Sequence, residues 1–204
     1  SVWNPKAFAL PAPNNGTTWS SKVYTSDATY NGSATETVFQ SNKAGDKAFD
    51  GLTSTESVVD EGSPYKSWIY FRPASPFTGV NNLRIHTGYV ENFKLNGVTV
   101  SSGVSPAPAN SAAQWYNIDP KDIPNSLTEI AVQGHSASGG SNARISAIEI
   151  DGVILVDGQT DPTTRNNLND GTKWSNSLAL SAGSFHNSHP ATSAFDGSLT
   201  THSA

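Results

Sequence analysis

The sequence predicts an all-β fold, an antiparallel β-sandwich of the jelly-roll kind, and three observations point there. Charged residues make up only 14% of the 204 residues, too few for the charged outer faces that surface helices carry. Glycine and proline number 17 and 12 and recur at close spacing, punctuating the chain into short pieces. Between them the apolar residues gather in brief runs rich in aromatic and β-branched side chains, the composition of strands.

The elements follow in chain order. Ser67-Trp68-Ile69-Tyr70-Phe71-Arg72 is a dense strand run, ended by Pro73 and Pro76, which cannot continue a ladder. Leu83, Ile85 and Thr87 alternate with Arg84 and His86, the period-2 pattern of a half-buried strand. Over residues 92–100, Phe93-Lys94-Leu95 and Val98-Thr99-Val100 flank Asn96-Gly97, and that dipeptide between apolar runs signals a hairpin. Gln114 to Ile118, Leu127 to Gln133 and Ala143 to Ile150 supply further strands; in the last, Ile148 and Ile150 face one way while Ile145, Ala147 and Glu149 face the other. Asp151-Gly152 turns the chain into Val153-Ile154-Leu155-Val156, closed by Asp157-Gly158. About eight short strands with closely spaced turns make a sandwich.

The chain also repeats itself. Asn14-Asn15-Gly16-Thr17-Thr18-Trp19-Ser20 returns as Asn169-Asp170-Gly171-Thr172-Lys173-Trp174-Ser175, five of seven positions identical at an offset of 155. Ala48-Phe49-Asp50-Gly51-Leu52-Thr53-Ser54-Thr55-Glu56-Ser57 returns at Ala194 to Ser203, six of ten identical at an offset of 146. The nine-residue difference falls in the polar stretch from Thr25 to Asn42. A period this long makes the unit a whole domain rather than a solenoid repeat. The expected organisation is therefore a linker over 1–12, a complete sandwich module over 13–157, a second linker over 158–167 rich in Thr, Asp, Pro and Asn, and the start of a second, truncated copy over 168–204. With Ser at position 1, the chain is expected to be processed or part of something longer.

Composition narrows the partners. Net charge is −5 and no run of Lys or Arg forms a stripe, so neither nucleic acid nor an anionic membrane surface is expected to bind. No segment approaches the ~20 apolar residues of a membrane span. The absence of cysteine removes disulfides and thiolate metal sites and leaves the redox compartment open. A neutral ligand such as a sugar suits this surface best.

Ala48-Phe49-Asp50-Gly51 with Thr55, the aromatic strand Trp68-Ile69-Tyr70-Phe71, and Ala147-Ile148-Glu149-Ile150 near the module's end together resemble the discoidin, or coagulation-factor type C, family of galactose-binding-like β-sandwiches. The resemblance spans about residues 13–157. It implies a carbohydrate-binding module, and in many members a structural calcium. Carried onto this chain, the calcium ligands would be the side chains of Asp50, Thr55 and Glu149 with the backbone oxygens of Lys47 and Leu52. Ca²⁺ accepts six to eight oxygens at ~2.3–2.6 Å and tolerates such a mixed set. The plainer reading of Asp50-Gly51 is a turn whose carboxylate caps neighbouring amides; both readings stand on sequence alone.

A sugar site is expected on loops at one end of the sandwich, where aromatic faces meet amide, imidazole and guanidinium donors. The candidates are Tyr89, Asn92, Trp115, Tyr116 and His135. Trp19 and Trp174 are read instead as core anchors, since repeated tryptophans recur for packing. Gly134-His135-Ser136-Ala137-Ser138 lacks the final glycine of a nucleophile elbow and is read as a Ser/Gly loop. Asp60, Glu61, Asp119 and Asp122 are read as solvated loop acids, and no His-Glu-x-x-His occurs.

The expected function is accordingly non-catalytic: extracellular or virion-surface adhesion through tandem carbohydrate-binding modules, with surface glycans or polysaccharide, further copies of the chain, or other virion or filament proteins as partners. The run Ala-Ile-Glu-Ile-Asp-Gly-Val-Ile-Leu-Val-Asp-Gly leading into the next copy resembles virion appendage proteins of aquatic bacteriophages, such as tail fibres, which implies attachment to a host surface. Two alternatives remain: a purely structural virion or filament decoration, and an accessory binding module of a secreted glycosidase.

Overall fold

The computed structural model describes residues 13–60, 66–100, 103–135 and 142–159, all within one compact unit, Leu10–Thr163. The expected N-terminal linker (1–12), the segment from 160 onward and the second copy (168–204) with Trp174 lie outside the described residues, as do Glu61 and Ser136 to Ser138. Among the described residues there are only strands and short 3-10 turns, and no helix is long and apolar enough to cross a membrane.

The fold is the expected all-β antiparallel sandwich. One sheet of five strands contains β1 (Val23–Ser26), β3 (Trp68–Phe71), β11 (Ile130–Gly134), β6 (Val90–Leu95) and β7 (Val98–Thr99), hydrogen-bonded in that order. The other contains β14 (Val153–Ile154), β13 (Ala147–Ile150), β5 (Leu83–Thr87), β9 (Gln114–Ile118) and β8 (Val104–Ser105), again in that order. Two small ribbons, β2 (Ser57–Val58) with β12 (Arg144–Ile145) and β4 (Phe77–Thr78) with β10 (Ser126–Leu127), complete it.

Alternation decides which side chains meet between the sheets. Ile69, Phe71, Phe93, Leu95, Ile130 and Val132 of the first sheet join Leu83, Ile85, Tyr116, Ile118, Ile148 and Ile150 of the second in one core. Trp19 is buried there, edge-on to Phe71 at 6.0 Å, so its reading as a core anchor agrees with the structure. The long expected strands are interrupted for visible reasons. Asn96 Oδ1 accepts the amides of Thr128 and Glu129, which separates β10 from β11, and the Ser146 amide turns to the His86 carbonyl between β12 and β13.

The first sheet carries a third layer that alternation alone does not suggest. All four residues of β3 are buried: Ile69 and Phe71 face the core, while Trp68 and Tyr70 pack outward against Tyr30, Tyr24 and Ala34. Arg72 fastens the loop that carries Tyr30, donating to the Asn31 and Ala34 carbonyls and to Glu129, which also accepts the Tyr30 hydroxyl.

The module's two ends are joined by a clasp built from the repeated Asn-x-Gly-Thr-x-Trp-Ser segment. Asn14, buried, donates to the Ile154 carbonyl (2.8 Å) and accepts from Trp19 Nε1 (3.0 Å) and the Val156 amide (2.9 Å). Asp157 accepts from both the amide and the hydroxyl of Ser20. Gly16, at φ +85°, donates its amide to the Gln159 carbonyl at 2.8 Å.

Candidate functional site

At one end of the sandwich Gly88 and Tyr89 carry the chain from β5 in one sheet across to β6 in the other. A Cβ on Gly88 would lie 2.7 Å from the Ala113 amide nitrogen, so the close approach of that neighbouring loop requires glycine. Tyr89 sits at φ +52°, a conformation that costs a bulky residue about 1–3 kcal/mol and persists only when the surroundings enforce it. They do so on both sides: its amide donates to the Ser111 carbonyl (2.8 Å), and its carbonyl accepts the His135 amide (2.7 Å).

The outcome of this arrangement is an aromatic ring held out in solvent at 36% exposure. The Arg144 guanidinium lies 4.6 Å from its centroid. Arg144 is itself fixed, its Nη1 reaching both carboxylate oxygens of Glu56 at 3.2 Å, and Lys43 Nζ reaches the same carboxylate at 2.7 Å. Burial of Glu56 works to raise its pKa, but the Lys43 hydrogen bond and the charges of Arg144 and Lys43 outweigh that, leaving the carboxyl below its ordinary value. An aromatic face beside rigidly placed guanidinium, ammonium and carboxylate groups offers a ligand C–H stacking together with hydrogen bonds to hydroxyls.

The five expected ligand residues are thus distributed. Tyr89 and His135 come together at the loop end. Asn92 lies beside it on the outward face of β6, donating to Gln133 Oε1 at 2.8 Å. Trp115 stands on the outward face of the second sheet, against His86. Tyr116 is corrected: alternation along β9 turns it inward, where it is fully buried with its ring on Phe93 at 5.3 Å, and it presents no face to a ligand. Sequence reasoning missed Lys43, Glu56 and Arg144. Glu56 and Arg144 are 88 residues apart, and it is the β2–β12 register, Arg144 opposite Val58, that joins them; the one local signal was a charged residue between Ala143 and Ile145, both buried.

Four of the five expected calcium ligands also meet. Around Thr55 Oγ1 lie Asp50 Oδ2 at 2.7 Å, the Lys47 carbonyl at 3.4 Å and the Leu52 carbonyl at 3.5 Å. Gly51, at φ +83°, lets the backbone fold around them. Glu149 is not among them. With Ile148 and Ile150 in the core, its side chain leaves the sheet on the opposite face, where Arg84 Nε donates to Oε1 at 2.7 Å and Nη2 to Oε2. One carboxylate and three further oxygens fit part of a Ca²⁺ shell and leave the rest to water. The same carboxylate already accepts the Leu52 amide (2.9 Å) and the Thr55 hydroxyl, the capped turn of the plainer reading. Among the described residues no three His, Asp or Glu side chains gather to hold a metal. Of the loop acids, Asp119 caps a 3-10 turn and pairs with Lys121 at 2.8 Å.

No family model matches the sequence, and no curated protein is similar to it. Among solved structures, chitosan-binding module 1 of a chitosanase/glucanase from Paenibacillus sp. IK-5 aligns at TM-score 0.41 and 14% identity, over 63% of this chain and 91% of that one. A second structure of that module gives 0.38 and 18%, over 68% and 98%. CpGH89CBM32-4 of Clostridium perfringens aligns at 0.39 and 20% identity, over 56% of this chain and 90% of that one.

Proposed function

We propose that this chain is a non-catalytic carbohydrate-binding protein that takes a saccharide at the Tyr89 loop end. The observation that carries the reading is the strained, exposed Tyr89 ring, held beside Arg144 and the Glu56–Lys43 pair. Strain of this kind at a loop tip points to a binding role, because packing gains nothing from an exposed ring. Binding is expected to be weak for one site. The repeated landmarks at Trp19 and Trp174 favour display in tandem, where a second site adds avidity without new contacts. Such display suits adhesion at a cell or virion surface, tail-fibre-like attachment included; a decoration role without ligand and an accessory role beside a glycosidase are the competing settings.

The Asp50 loop is the proposed calcium seat, with Asp50, Thr55 and the Lys47 and Leu52 carbonyls as its protein ligands and no part for Glu149. A glycan-array screen of the chain and of Tyr89→Ala, each with Ca²⁺ and with a chelator, tests both parts. Binding by the parent chain that Tyr89→Ala loses is expected; binding unchanged in Tyr89→Ala would remove the site from the loop end. Calcium should raise the melting temperature by binding only the folded state, and an unchanged midpoint with Ca²⁺ and with chelator would leave Asp50 as a turn cap.

A further inference from the structure

We propose a second saccharide-binding surface on the outward face of the β14–β13–β5–β9–β8 sheet, one that takes a neutral oligosaccharide of at least two residues. One ring rests against Trp115, and the next lies over the depression between Arg84, Asn117 and Asp151.

The register assembles this surface. His86 stands opposite both Trp115 and Ala147, and Arg84 opposite both Asn117 and Glu149, so their outward side chains form two adjacent rows. In the first row the half-buried Trp115 indole is held edge-on by His86 (5.2 Å between centroids), with the Arg84 guanidinium 4.6 Å from its centroid. An indole left partly in solvent on a sheet face, and fixed from two sides, is a stacking surface that has already lost its rotamer freedom. In the second row Asn82, Arg84, Asn117, Glu149 and Asp151 line a shallow depression. Arg84 is locked by both oxygens of Glu149, and Asn117 is exposed. Asp151 Oδ1 accepts from the amides of Asn81 and Asn82 (2.9 and 2.8 Å), and its Oδ2 is buried without a partner among the described residues, so this carboxylate acts on the surface through its charge rather than as an open acceptor. The Arg84 guanidinium and the exposed Asn117 carboxamide are planar groups of the kind that read hydroxyl groups. Rows two residues apart on one strand are about 6.5–7 Å apart, comparable with one pyranose unit, so a ligand that touches both rows is at least a disaccharide.

Charge selects a neutral chain. Glu149 cancels Arg84, and burial lowers the pKa of His86 and favours its uncharged form. That leaves Asp151 as the one unpaired formal charge among these residues, which repels uronates and sulfated sugars. The surface stands on different residues from the Tyr89 end and does not rest on that reading.

Native affinity electrophoresis of the full chain tests it, in gels containing hydroxyethylcellulose, barley β-glucan, galactomannan or arabinogalactan, with polygalacturonate and alginate as acidic controls. At least one neutral polysaccharide should retard the chain. Trp115→Ala should weaken that retardation at least tenfold, Asn117→Ala about threefold, and Tyr89→Ala should leave a Trp115-dependent part. Should Trp115→Ala prove unfolded by its thermal midpoint, Trp115→Phe, which is expected to keep most of the retardation, and Asn117→Ala decide the matter. Retardation indifferent to Trp115 and Asn117, preference for the polyanions, or no retardation in any gel would overturn the proposal. Loss confined to Tyr89→Ala would leave the loop end as the binding site and refute this second one.

Discussion

Replacing Asn14 with Ala tests whether the clasp between the module's ends contributes to its stability. The substitution removes one donor and two acceptor contacts at once, leaving Trp19 Nε1, the Val156 amide and the Ile154 carbonyl without their partner. An unsatisfied buried polar group costs about 1–3 kcal/mol. Trp19 is buried and takes the full cost, whereas Ile154 and Val156 are half-buried and regain part of it from water. The sum is about 3–4 kcal/mol, a large fraction of the ~5–15 kcal/mol that holds a domain together. For a unit of this size that corresponds to a fall in Tm of roughly 6–15 °C. Urea titration followed by tryptophan fluorescence reads it directly, as a lower midpoint at unchanged slope. A loss below about 1 kcal/mol would refute the reasoning and show that the two ends close on apolar packing and the Ser20–Asp157 and Gly16–Gln159 hydrogen bonds without help from Asn14.

Two further outcomes follow from the loop end. Tyr89→Gly relieves the φ +52° backbone and should hold or raise stability by up to ~1 kcal/mol while abolishing saccharide binding; parallel melting and binding curves would sink the idea of functional strain if both fell together. Glu56, its pKa lowered in the fold, contributes stability that is present above the unfolded-state value and is lost as pH falls through the folded one. Stability measured from pH 6 down to 3 should therefore drop less steeply in Glu56→Gln than in the parent, and identical slopes would deny the carboxylate that role.

Much of the fold was legible because it rests on local alternation. Leu83, Ile85 and Thr87 face inward as their spacing predicted, and Asn96-Gly97 turns the β6–β7 hairpin. The Asp50 turn was legible for the same reason, since Lys47, Asp50, Leu52 and Thr55 lie within nine residues of one another. Glu149 left the core face as alternation with Ile148 and Ile150 predicted; it was the family resemblance that placed it with the Asp50 loop, and the structure puts it on Arg84 instead. Tyr116 is where alternation was overlooked, since it turns inward between Trp115 and Asn117 along β9. The third layer was harder, because the loop carrying Tyr30 is polar and is held by Arg72 and Glu129 from distant strands. Four consecutive buried residues in β3 were its one trace, since a strand covered on a single face alternates. The charges beside Tyr89 depend on long-range register, and no local pattern encodes that.

The clasp has a consequence for how such a module travels between proteins. With Gly16 and Gln159 hydrogen-bonded at 2.8 Å, the polypeptide enters and leaves the sandwich at one place. Spliced into a surface loop of a host, the module would ask the loop to open by only a few ångströms, and the closure entropy of the host chain would scarcely change. Transplantation into an exposed hairpin is therefore an experiment this architecture permits, with Asn14 and Asp157 as the residues to retain at the two junctions.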